Sequence, residues 1–67
     1  MERKYIREKR EEKGYTMAQL AALLSIDTTM VGKVEAGKRN PSVKLARGWA
    51  NCLGIAENDI LKYFFAC

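Results

Sequence analysis

Histidine is absent from these 67 residues, and cysteine occurs only twice, as Cys52 and Cys67. Zinc takes sulfur or imidazole ligands, so a four-ligand zinc site does not fit within one chain. No motif implies a cofactor or a small-molecule ligand. Without histidine, Ser25 and Ser42 have no obvious general base, and the acids are scattered, so no catalytic residue is assigned and an enzyme is not expected. No apolar run approaches the roughly 20 residues that span a bilayer. The opening segment, MERKYIREKR, is charged and lacks the apolar stretch of a signal peptide. The expectation is a cytoplasmic protein with no membrane partner.

Apolar/polar alternation never persists beyond a few residues, which argues against strands. Repeats, low-complexity tracts and linkers are also missing, so residues 1–67 read as a single domain. A chain this short buries only about 60% of its unfolded surface. It has room for four or five short helices and little for a two-walled catalytic cleft. Cys52 lies in an apolar stretch and reads as a small buried hydrophobe, while Cys67 is terminal; a native disulfide is not expected.

What the chain does have is charge, unevenly placed. Residues 1–13 hold six basic and four acidic side chains, a mixed solvated face. From Thr28 to Ala50, Lys33, Lys38, Arg39, Lys44 and Arg47 face one acid, Glu35, so this segment alone carries the whole formal excess of +4. A basic stripe of this kind suits a polyanionic partner.

Five helices are expected. The first runs from about Glu2 to Lys13 and stops at Gly14, a residue suited to a left-handed C-terminal cap. At about 100° per residue, Ile6, Arg10 and Lys13 share a face, which points an arginine at the core. Thr16 and Gln19 form a capping box for the second helix, whose buried stripe is read as Leu20, Leu23 and Leu24. Asp27 caps the third helix. There Val31, Val34 and Glu35 turn inward, Thr29 and Lys33 turn outward, and Thr28 lies in the exposed first turn. Gly37 ends that helix before the basic turn KRNP. Ser42 caps the fourth helix, Val43 to Leu53, with Leu45, Ala46, Trp49 and Leu53 as its apolar side and Gly54 as its stop. A short fifth, about Glu57 to Phe65, adds Ile60, Leu61 and Phe64. Either inward charge alone would be costly to bury, so Arg10 and Glu35 are expected to meet as a structural ion pair.

Two motifs are false friends. Gly32 to Lys38 reproduces most of a phosphate-binding P-loop, but Arg39 stands where the magnesium-binding hydroxyl belongs, and the first glycine lies inside a helix rather than after a strand. The triplet NPS at 40–42 is excluded as a glycosylation acceptor by its proline.

The informative pattern is helix, tight break, helix, over residues 16–36, TMAQLAALLSIDTTMVGKVEA. A helix that packs with one face and offers Thr28, Thr29 and Lys33 on the other can enter a DNA major groove, which is about 12 Å wide. The threonine hydroxyl donates or accepts and its methyl suits a thymine methyl; lysine reaches guanine O6 and N7.

From Arg10 to about Phe64 the chain resembles the Cro/CI-type helix-turn-helix repressors, the XRE family, through REEKGYT, LAALLSI, VGKVEAGKRNPS and LARGWANCLGI. Together these segments are specific; each alone is weak. The resemblance implies an all-α, five-helix, lambda-repressor-like domain that binds double-stranded DNA with its third helix. It matches the base-reading positions to Thr28, Thr29 and Lys33, and phosphate contacts to Lys38, Arg39 and the start of helix two; it also implies the Arg10–Glu35 pair. Lys44 joins the backbone-facing cations, while Arg47 stands between that role and a solvated face. A phage- or mobile-element-type repressor, bacterial in setting, is the expected role. Two positions depart from the family pattern. Met17 stands where a phosphate-bonding glutamine is common, and Ser25 replaces a usual turn glycine at roughly 1 kcal/mol of strain.

The terminal YFFAC leaves two roles open. Tyr63 or Phe65 either covers the end of the core or forms part of a weak homodimer matched to a two-fold operator. The alternative from another class is a protein-interaction module on the same fold, an antirepressor, adaptor or antitoxin, toward which Met17 and Gly32 point.

Overall fold

The computed structural model describes residues 3–56 together with Asp59 and Phe64. Among them are four helices and no strand: α1 Lys4–Glu12, α2 Met17–Leu24, α3 Thr28–Glu35 and α4 Val43–Leu53. The expectation of five helices is thus met by four; the fifth, at 57–65, falls outside the described residues except for Asp59 and Phe64. Ile60 and Leu61 lie outside them too.

Local chemistry sets the starts of the helices. At α2 the Gln19 N–H donates to Thr16 Oγ1 at 3.1 Å, and the Thr16 N–H donates to Gln19 Oε1 at 2.9 Å, a complete capping box. At α4 the Leu45 N–H donates to Ser42 Oγ at 3.1 Å. Asp27 occupies the cap position of α3, but its carboxylate makes no capping hydrogen bond. It acts there through its charge beside the positive end of the helix dipole.

All four helices end the same way. A residue with positive φ follows each: Gly14, Ser25, Gly37 and Gly54. The next N–H then reaches back five residues, from Tyr15 to Arg10 O, Ile26 to Ala21 O, Lys38 to Lys33 O and Ile55 to Ala50 O, at 2.8 to 3.1 Å. These bonds satisfy carbonyls that a helix end otherwise leaves unpaired. Ser25, with φ 58°, is the one non-glycine in this position among the described residues and alone carries a Cβ there.

Helix α2 packs on both α3 and α4, and α1 packs on α3. The core comprises Ile6, Leu20, Ala21, Val31, Val34, Ala46, Trp49, Ala50, Leu53, Ile55 and Phe64. Complete burial of each larger side chain contributes about 1.5–3 kcal/mol. Trp49 and Phe64 meet edge to face with ring centroids 5.8 Å apart. Among the described residues, the buried Trp49 Nε1–H finds no acceptor.

Two readings are corrected. Leu23 is 55% exposed, not part of a buried stripe. Because α2 is wedged between two neighbours, its core direction runs through Leu20 and Ala21, and Leu23 lies well off that line. Cys52 is half-buried against the core, a free thiol rather than a fully enclosed hydrophobe; Cys67 falls outside the described residues.

Candidate nucleic-acid interface

Helix α3 has little intrinsic strength. Its sequence TTMVGKVE begins with two β-branched residues and has glycine in the middle, each a poor helix former. Tertiary packing holds it instead. Val31 and Val34 are fully buried and Glu35 nearly so. Arg10 Nε donates to Glu35 Oε2 at 2.6 Å and Arg10 Nη2 to Glu35 Oε1 at 3.3 Å, while Arg10 Nη1 donates to the Tyr15 carbonyl at 2.8 Å. The carboxylate therefore joins α3 to α1, and the third bond ties the same arginine to the turn that leads into α2.

With three side chains committed inward, the opposite face is exposed. Thr28, Thr29 and Lys33 are all exposed, and Met30 is partly covered on the flank. The basic residues continue beyond the helix. Lys38 and Arg39 are exposed in the turn after Gly37, Lys44 is exposed in the first turn of α4, and Arg47 is exposed one turn later. Pro41 is buried, which anchors the turn between them.

Arg3 shapes this turn and was not singled out from sequence. Its N–H donates to Glu35 O at 2.7 Å. Its guanidinium donates to Val34 O at 2.7 Å, Arg39 O at 3.2 Å, Phe64 O at 2.6 Å and the Asn40 side-chain oxygen. A cation thus closes the carbonyl end of α3, where the helix dipole is negative. Partial burial lowers the Arg3 pKa from its ordinary value, by desolvation. Every one of its side-chain partners lies at least 31 residues away, so no local pattern announces it.

Gly32 lies on the flank of α3 that faces α2. A Cβ built there meets, among the described residues, only Met17 Sδ, at 3.9 Å, an ordinary contact distance. Neither backbone conformation nor crowding requires glycine. Beside it lies a recess of about 180 Å³ lined by Arg7, Met17, Gly32, Glu35 and Ala36.

Among the described residues, no group of acidic or cysteine side chains is arranged to hold a metal ion. No helix among them is long and apolar enough to cross a membrane.

Residues 6–60 match the family model described as helix-turn-helix, most of the chain including α1 through α4. The chain belongs to the XRE-type helix-turn-helix family. A protein of Bacillus subtilis (strain 168) named "Uncharacterized HTH-type transcriptional regulator YazB" is 34% identical over 55 residues, covering 82% of this chain and 80% of that protein. No solved structure matches the chain significantly. The matched stretch takes in both α2 and α3, which pack on each other. Ser25 occupies the break between them, and α3 is the helix whose outer face is left uncommitted.

Proposed function

We propose that this helix-turn-helix protein is a sequence-specific DNA-binding transcriptional regulator that lays α3 in the major groove. The observation that carries the reading is the division of α3. Val31, Val34 and Glu35 are spent on the core, and Thr28, Thr29 and Lys33 are presented together on the outside. An α-helix with its side chains is about 10–12 Å across, which matches a groove about 12 Å wide. In this arrangement Thr28, Thr29 and Lys33 read bases, and Lys38, Arg39 and Lys44 hold phosphates on the strand walls. The family membership and the relative named as a transcriptional regulator favour this over a protein-only module.

The finer reading is a repressor that occupies an operator as a weak homodimer. Two copies would place two α3 helices in successive major grooves, about 34–36 Å apart. Selection of duplexes from a random library, followed by affinity measurement over a range of salt, tests this. The expected result is an enriched palindrome whose log affinity falls with log salt at a slope of about −0.9 per phosphate neutralised. A library that yields no enriched site, or binding that ignores salt, overturns the reading.

A further inference from the structure

The backbone of Arg3 is held between two helices. Its N–H donates to Glu35 O at 2.7 Å, and its carbonyl accepts from the Ile6 and Arg7 N–H groups of α1 at 3.1 and 3.2 Å. The side chain then acts as a fork. Nη1 donates to Val34 O at the end of α3 and to Arg39 O in the turn, while Nη2 donates to Asn40 Oδ1 in the same turn and to Phe64 O. Each terminal nitrogen carries two hydrogens, so four acceptors use all four. Among the described residues, the hydrogen bonds of Arg39 and Asn40 both come from Arg3. At the far prong lies Phe64, 1% exposed, its ring edge to face with Trp49. A guanidinium is planar and rigid, so its acceptors cannot shift independently. Moving the Phe64 carbonyl either tilts the plane that holds Arg39 and Asn40 or strands a partly buried donor.

We infer that Arg3 is a positioning residue for DNA binding, one that links the seating of Phe64 on Trp49 to the turn carrying Lys38 and Arg39. The inference rests on the DNA-binding reading, in which those two cations hold phosphates, and adds to it a point of control remote from the outer face of α3. With Phe64 seated, the fork holds the turn in place for the duplex. With Phe64 withdrawn, the turn loses its anchor and the duplex is held less tightly. Linkage requires the converse: a bound duplex keeps Phe64 seated by the same factor.

Variants and one proton test this. Affinities for the selected duplex are compared under conditions where urea titration shows each variant folded. Arg3→Met should bind about fivefold more weakly. Arg3→Lys should bind as weakly, because it keeps the charge at the end of α3 but lacks the planar fork. Phe64→Leu should weaken binding in the wild-type chain and have no further effect in Arg3→Met. Trp49 is the single tryptophan, and its buried indole N–H has no acceptor among the described residues. At low urea its exchange with solvent therefore reports local opening rather than a broken hydrogen bond. A saturating duplex should slow that exchange about fivefold in wild type and leave it unchanged in Arg3→Met. This measurement decides the matter if Phe64→Leu does not fold. Wild-type affinity in Arg3→Met or Arg3→Lys, an equal effect of Phe64→Leu in both backgrounds, or an indole proton indifferent to the bound duplex overturns the link. A wild type that selects no duplex overturns the DNA reading itself, a result distinguishable from these.

Discussion

Arg10 and Glu35 form a buried bidentate pair, Nε to Oε2 at 2.6 Å and Nη2 to Oε1 at 3.3 Å, that joins α1 to the middle of the fold. The arginine is 7% and the glutamate 4% exposed, so neither charge has water to fall back on. Removing one partner strands the other. Arg10→Met should cost about 3–5 kcal/mol, comparable to the whole stability of a domain this small. Arg10→Met combined with Glu35→Leu should recover much of that loss, because two desolvation penalties disappear together. Urea unfolding of the three variants checks this. A double variant less stable than Arg10→Met alone would show that the pair is worth more than its desolvation.

Ser25 offers a gain instead. It holds φ 58° at a position where the other three helix ends use glycine. Ser25→Gly should stabilise the fold by about 1 kcal/mol, raising the melting temperature by roughly 4–8 °C. Thermal unfolding followed by circular dichroism measures it, and an unchanged or lowered midpoint would mean that the serine hydroxyl compensates for the strain.

Base reading and phosphate holding should separate by mutation. Lys33→Ala should relax preference at one or two positions of the selected site, at about 1–3 kcal/mol of discrimination. Arg39→Ala should weaken binding to all sequences alike and shallow the salt slope by about 1. Competition assays with single-base variants of the site distinguish the two patterns, and matching losses across all sequences for both variants would remove Lys33 from the reading set.

Arg3 predicts a longer-range effect. Its guanidinium bonds to Val34, Arg39, Asn40 and Phe64, so Arg3→Ala should cost about 1–2 kcal/mol, less than a fully buried pair because the side chain is only partly enclosed. Amide hydrogen exchange should quicken at the end of α3 and in the turn at 38–40 while α4 keeps its protection. Uniform quickening across all helices would show a global loss rather than a released turn.

Much of this architecture is legible in the sequence, where the controlling interactions are local. The Thr16–Gln19 box, the Ser42 cap and the glycine stops each lie within a few residues of the helix they bound, and α4 spans Val43 to Leu53 as its pattern predicts. Helix phase alone turns Arg10 and Glu35 toward each other. The same phase leaves Thr28, Thr29 and Lys33 outside. What escapes is set by distant neighbours. Leu23 looks buried beside Leu20 and Leu24 until α2 is placed between α3 and α4, which shifts its core line toward Ala21. Arg3 sits in a run of charges indistinguishable from a solvated face, and only the folded chain brings four acceptors to it. Asp27 stands at the cap position without the capping bond that its residue type suggests.

The terminations of the helices also have a bearing on the order of assembly. The bonds that close α2 and α3 span five residues or fewer, and α2 packs on its sequence neighbour α3. Contacts this close along the chain carry little loop-closure entropy and form quickly. The Arg3 clamp, by contrast, joins residues 61 apart at its far end. The α2–α3 pair is therefore expected to form early in folding, whereas Arg3, the residue that holds the turn carrying Lys38 and Arg39, gains its last partner only when Phe64 docks.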